Sequence, residues 1–175
     1  MQYFLDLDGV IVDFVGGIIK HYKLKCTEFD ICAWDSLYDW YPGTVAEFWA
    51  GIPESFWENL AFTPEGPAII DLLAREGIKA TILTAPPWTG ATGKQKWIRK
   101  NLPEYFDHGR YLIGPSKTCV ARPGAVLIDD AEHNIDDWVK AGGLGILVPR
   151  PWNRNRHKDT LTWVRCGIRH MEGVN

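Results

Sequence analysis

The chain has 175 residues, 46% hydrophobic and 23% charged, an ordinary globular balance that gives one domain with room for a small insertion. Nineteen basic against 22 acidic side chains leave a net charge of −3, so no global charge argues for a nucleic-acid partner. No apolar run approaches the roughly 18 residues of a membrane span, and the opening stretch, acidic by Asp6 and without a basic residue, is not expected to act as a signal peptide.

In chain order, a short apolar run at 3–5 reads as a strand and is followed by Asp6-Leu7-Asp8-Gly9-Val10. Residues 14–22 carry Phe14, Ile18, Ile19 and Tyr22 at helical spacing. The interval 24–63 breaks the pattern. Nine of the chain's 22 aromatic rings fall between Phe29 and Trp57, with Pro42-Gly43 and Ile52-Pro53 as turn signals, so this interval is expected to be a small insertion. A helix follows at 68–75 (Ala68, Ile69, Leu72, Leu73), then a strand at 80–83 that runs into Thr84. A helix at 94–102 (Trp97, Ile98, Leu102) leads to a strand at 111–113 and to Pro115-Ser116-Lys117-Thr118. The strand at 125–128 ends on Asp129 and Asp130, and a helix at 135–141 precedes the last strand at 144–148. Past residue 149 the chain turns basic, with Arg150, Arg154, Arg156, Lys158, Arg165 and Arg169 against Asp159 alone up to residue 170, and reads as a solvated extension. Alternating strands and helices argue for an α/β fold, an open, doubly wound parallel sheet with helices on both faces. The expected division is a core of 1–23 and 64–150, a cap at 24–63 and an extension at 151–175. Cys26, Cys32, Cys119 and Cys166 have no metal-site spacing and are expected to be free thiols in a reducing cytoplasm.

Ligands of open parallel sheets bind beyond the carboxyl ends of the strands. Here those ends carry Asp6 and Asp8, then Thr84, then Lys117, then Asp129 and Asp130. Several carboxylates at one edge repel each other unless a cation sits among them. Oxygen ligands without paired His or Cys favour magnesium over zinc. A lysine and a hydroxyl beside them offer a phosphate a point charge and a short donor.

These residues resemble the four motifs of the haloacid dehalogenase superfamily: Asp6-Leu7-Asp8-Gly9-Val10, Leu83-Thr84, Lys117, and Leu127-Ile128-Asp129-Asp130. The resemblance covers about residues 2 to 150 and implies a Rossmann-like core with a helical cap inserted after the first motif. It implies that Asp6 attacks phosphorus to form an aspartyl-phosphate, and that Asp8 protonates the leaving oxygen and then activates water. Gly9, Thr84, Ala85 and Lys117 would bind the phosphate. Asp6, Asp130 and the Asp8 carbonyl would hold Mg2+, with Asp129 as a partner behind Asp130. Strand alternation sends Asp129 and Asp130 to opposite sides unless the chain bends there.

Within the superfamily the chain is most similar to the 5'(3')-deoxyribonucleotidases, through Asp6 to Phe14, Ile82-Leu83-Thr84-Ala85-Pro86, Lys96-Trp97 before Leu102-Pro103, and Pro151-Trp152-Asn153. That likeness implies a base pocket lined by Phe14 and by rings of the insertion, with Trp34, Trp49 and Trp57 as candidates. Phe14 also fits an ordinary core ring on its helix face. Ala85 stands where some members have Ser, and Ala131 where the animal enzymes carry Arg, so substrate preference does not transfer. Asp13 reads as a first-turn helix carboxylate. The expected function is a magnesium-dependent, cytoplasmic phosphomonoesterase for deoxyribonucleoside monophosphates. Its alternatives are a phosphatase for another small phosphate or a polynucleotide 3' end, and a non-catalytic binding module. The expected partner is a small nucleotide; neither membrane nor nucleic acid is expected, and a homodimer stays open.

Overall fold

Continuous apolar runs bounded by polar residues build a single parallel sheet of five strands: β1 (Gln2–Leu5), β2 (Thr81–Thr84), β3 (Tyr111–Ile113), β4 (Ala125–Asp129) and β5 (Leu144–Leu147), in the order β3-β2-β1-β4-β5. The structure, a computed structural model, describes residues 1–173 other than Trp88 and Pro115, so Pro115, quoted above with Lys117, lies outside the described residues. Leu5 is in register with Ile82 on one side and Ile128 on the other, which makes β1 the central strand. The chain leaves β1 toward β2 and β3 and later returns to β4 on its other side. That reversal opens a crevice between the carboxyl ends of β1 and β4, where Asp6, Asp129 and Asp130 stand.

The two-residue period of the strands divides the core. Tyr3, Leu5, Ile82, Val126 and Ile128 face the larger cluster, and Phe4, Leu83, Ala125 and Leu127 face the smaller one under Trp138. Phe4 and Trp138 meet edge to face at 5.4 Å, a pairing worth about 0.5–1.5 kcal/mol beyond burial.

Helix α1 (Phe14–Tyr22) starts where Asp13 caps it, accepting from Gly16 N at 2.9 Å, so Asp13 serves the helix end. The insertion holds two 3-10 segments, at Glu28–Asp30 and Trp34–Trp40, then α2 (Val45–Ala50) and α3 (Glu54–Glu58). A reciprocal cap opens α2: Thr44 Oγ1 accepts from Glu47 N, and Glu47 accepts from Thr44 N. Phe48 is fully buried among Tyr22, Tyr38, Tyr41 and Trp49, so part of the ring-rich segment is indeed a local core.

Helix α4 (Gly66–Arg75) begins two residues before the periodic run. Helix α5 (Ala91–Asn101) starts three residues earlier than predicted and stops before Leu102, because a residue ahead of proline disfavours helix. Pro103 then opens the short α6 (Pro103–Asp107), where its missing N–H costs nothing. Helix α7 (Glu132–Lys140) likewise starts three residues before the periodic run.

The segment past β5 differs from the expected solvated extension. Arg150, Trp152 and Asn153 are buried, and a helix unanticipated from sequence, α8 (Thr160–Glu172), packs Val164 and Ile168 into the core. Asp159 caps it through Thr162 N at 2.9 Å. All four cysteines are free, and among the described residues no helix is long and apolar enough to cross a membrane.

Candidate active site

The loop after β1 is stitched to itself before it meets any other element. Ile11 N and Val12 N both donate to Leu7 O at 2.8 Å, and Gly9 N donates to Val12 O at 2.8 Å. Thr63 closes the far side, its hydroxyl donating to Val10 O at 2.7 Å. Gly9 has φ +71°, and a Cβ there would overlap the Asp130 carboxylate, so only glycine lets this loop lie against β4. Gly9 is engaged within this loop: its N–H donates to Val12 O and its carbonyl accepts from Arg150 Nε.

A cleft of about 340 Å³ lies beyond the strand ends, lined by Asp6, Asp8, Lys117 and Asp130 on its floor and by Phe14, Trp34, Trp49 and Trp57 on a wall. Ala85, Pro87, Ala131, His133 and Asn134 complete the lining. Phe14 lies nearly parallel to Trp57, Trp49 and Trp34, with centroids 5.4, 6.1 and 6.1 Å away and planes within 23°. The ring candidates thus share one wall with the acids below them.

Lys117 joins two carboxylates, with Nζ 2.8 Å from Asp6 and 2.5 Å from Asp129. Burial alone would lower its proton affinity, but Asp129 and Asp6 outweigh that and hold the ammonium firmly charged. Asp6 is 5% exposed. Burial pushes its carboxyl up to about 7, opposed by Lys117 and reinforced by the charges of Asp129 and Asp8. Asp130 is raised well above the usual carboxylate range, first by burial and then by Asp129 and Asp6, while Trp152 and Arg150 oppose the rise.

Alternation would send Asp129 and Asp130 to opposite sides, but the chain bends at Asp130 just past β4 and each brings an oxygen to the same place. Asp129 is spent on donors: Lys117, Ala131 N at 2.8 Å and Asn134 Nδ2 at 3.1 Å. Asp130 accepts from Trp152 Nε1 through Oδ2 at 2.6 Å, and its buried Oδ1 has no protein partner; Asp8 Oδ1 is the same. An oxygen from each of Asp6, Asp129 and Asp130 lies within 4.8 Å of the others. An unpartnered buried carboxylate oxygen beside two further carboxylates suits a hard divalent cation, so the donor set fits magnesium.

Thr84 is fully buried and does not line the cleft. Its Oγ1 accepts from Lys94 Nζ at 2.6 Å, and the same ammonium is ion-paired with Asp8 and sits 5.1 Å from the Trp57 ring centroid. A buried ammonium needs oxygen partners, and Thr84 supplies one of them while its own hydroxyl hydrogen remains a donor. Gly93 allows the approach: a Cβ there would press into the Glu54 carbonyl and Trp57, so α3 packs directly on α5. The reading from sequence missed Lys94, although it stands three and four residues before Trp97 and Ile98, on the buried stripe of its helix. Lysine on such a stripe announces a carboxylate partner. Asn134, Arg150 and Trp152 carried no comparable local signal.

A family model described as NT5C, 5' nucleotidase, deoxy (pyrimidine), cytosolic type C protein, matches residues 1–165. No curated protein matches the chain in sequence. Among solved structures, it resembles a HAD family hydrolase from Deinococcus radiodurans R1, with bound phosphate and sodium, at 14% identity and TM-score 0.65, covering 99% of this chain and 97% of that one. A hydrolase from Pseudomonas syringae gives 13% identity and TM-score 0.57 over 99% of both chains. A HAD-superfamily hydrolase from Ehrlichia chaffeensis gives 16% identity and TM-score 0.53 over 98% and 97%. At these identities the likeness speaks for the fold.

Proposed function

The chain belongs to the cytosolic type C 5'-nucleotidase family of HAD hydrolases, and from that membership we propose that it hydrolyses deoxyribonucleoside monophosphates in the cytoplasm through an aspartyl-phosphate on Asp6. The observation that carries the reading is the joining of two chemistries in one cleft: a buried carboxylate held by Lys117 at its floor, and a wall of near-parallel rings able to take a base.

Each residue has a task under this reading. Lys117 orients Asp6 and draws a phosphoryl oxygen to the nucleophile. An Asp6 oxygen attacks phosphorus as the ester P–O bond breaks, and Asp8 gives its proton to the departing sugar oxygen. Asp8 then takes a proton from water, whose oxygen attacks the phosphorus, releasing inorganic phosphate and restoring Asp6. Thr84 acts one layer back by anchoring Lys94 beneath Asp8. The carboxylates of Asp6 and Asp130 and the Asp8 carbonyl would hold magnesium, while Asp129 is engaged with its own donors. When bound, the ion offsets the charge crowded between carboxylates and phosphate.

The test is phosphate release across deoxyribonucleoside 5'- and 3'-monophosphates, ribonucleotides, sugar phosphates and 3'-phosphorylated oligonucleotides. Deoxyribonucleoside monophosphates are expected to give the highest kcat/KM. Preference for a sugar phosphate or an oligonucleotide end would replace the substrate reading while keeping the nucleophile. No turnover of any of them, with magnesium present, would leave a binding module.

A further inference from the structure

The segment after β5 meets Asp130, a cleft residue, at one atom pair that the catalytic scheme does not use. Trp152, 5% exposed, donates its indole N–H to Asp130 Oδ2 at 2.6 Å. Asn153 Nδ2 fixes the same residue from behind, donating to Asp130 O at 2.8 Å and to Val148 O at 2.7 Å. Gly9 closes the other side, since its missing Cβ is what leaves room for the Asp130 carboxylate. One oxygen of Asp130 is therefore committed, and the other, Oδ1, is buried without a protein partner.

We propose that Trp152 is a specificity-determining positioning residue: by occupying Asp130 Oδ2 it limits Asp130 to one-oxygen ligation and so selects magnesium over calcium. The inference rests on Asp130 being a metal ligand, as read above. Magnesium keeps near-ideal octahedral geometry at short bonds and takes carboxylates through single oxygens. Calcium is larger, accepts six to eight oxygens and readily takes both oxygens of one carboxylate. A carboxylate with one oxygen locked suits the first ion and denies the second its preferred mode. With a cation bound, the lock is a hydrogen bond to an ionised carboxylate in a buried setting, where such bonds are strongest.

The experiment titrates magnesium chloride and calcium chloride separately into the full chain by calorimetry, for the native protein, Trp152→Phe and Asp130→Asn. Circular dichroism and a melting curve report the fold of each. In Trp152→Phe the ratio of calcium to magnesium affinity is expected to move toward calcium by about tenfold or more, the scale on which outer partners of metal ligands act. Asp130→Asn is expected to weaken both ions. An unchanged ratio in folded Trp152→Phe, with binding lost in Asp130→Asn, overturns the role of Trp152 and leaves the metal reading standing. Binding unaffected by Asp130→Asn overturns both. Should Trp152→Phe not fold, β-(3-benzothienyl)alanine at position 152 keeps the bicyclic shape and removes only the N–H. The same shift is then expected, and an unchanged ratio again refutes the proposal.

Discussion

Replacing Lys94 by Met tests whether the buried ammonium under Asp8 serves chemistry or packing. Lys94 is 2% exposed, and its ammonium meets the Asp8 carboxylate, the Thr84 hydroxyl at 2.6 Å and the face of Trp57 at 5.1 Å. Methionine is close in length and apolar, so the cavity stays filled and Trp57 keeps a neighbour. Removing one partner of a fully buried ion pair costs about 3–5 kcal/mol when the other charge is stranded. Asp8 is only partly stranded: its side chain is 17% exposed and lines the cleft, although its Oδ1 is buried without a protein partner. The melting temperature is therefore expected to fall by less than that full cost implies, while Asp8 loses the contact that fixes its second oxygen. General acid–base catalysis contributes about 10²–10⁴-fold, and a mispositioned acid forfeits part of that, about 10²-fold or 2.7 kcal/mol. The loss falls only where the leaving oxygen needs a proton. Phenyl phosphate and 4-nitrophenyl phosphate have nearly the same size, but 4-nitrophenolate departs without help. The variant's kcat is expected to fall about 10²-fold on the first and by less than about tenfold on the second. Equal losses on both substrates would refute the positioning of Asp8 by Lys94.

Asp6→Asn is expected to abolish turnover with an unchanged circular dichroism spectrum, and ordinary turnover would remove the aspartyl-phosphate from consideration. Phe14→Ala is expected to reduce kcat/KM for nucleotides about five- to 150-fold, the value of a lost base stack, while sparing a small aryl phosphate; equal losses on both would assign Phe14 to the core. Metal and pH are linked through Asp6, whose carboxyl moves from 3.8 to about 7 on folding because it is buried. Between those values the folded chain binds more protons than the unfolded one, so the metal-free protein loses stability as pH rises through that window. Magnesium favours the ionised carboxylates, so its stabilising shift in melting temperature is expected to be larger at about pH 8 than at about pH 5. An equal shift at both would contradict a cation among these groups. Thorough chelation is expected to silence phosphate release and magnesium to restore it, and full activity in chelator would contradict the site.

What could be read from the sequence has a common physical source. A strand buried on both faces is a continuous apolar run, so the polar residue that ends it stands out; Asp6, Thr84, Asp129 and Asp130 were legible for that reason. Lys94 carried a signal of the same kind, a charge on an apolar helical stripe, and was passed over because the stripe was read from Trp97 onward. Arg150, Trp152 and Asn153 carried no such local signal, although Pro151-Trp152-Asn153 is part of the family likeness. Their partners Gly9, Val10 and Asp130 lie 141, 140 and, for the last, 22 and 23 residues away, and no local period encodes such pairings. The insertion was legible by composition but not ring by ring. Its 3-10 segments have no sustained period to separate Phe48, which is core, from Trp34 and Trp49, which face the cleft.

The clamp from Arg150 to the Gly9 and Val10 carbonyls also sets an order of events during synthesis. Asp6 and its loop leave the ribosome before the guanidinium that holds the loop's carbonyls, which is made 141 residues after Gly9. At about 5–20 residues per second the loop waits on the order of ten seconds without its fixing partner. Until Arg150 and Trp152 dock, neither the loop nor Asp130 has its final restraints. A nascent chain stalled before that point would carry Asp6, Asp8 and Lys117, and still lack the part that holds them in register.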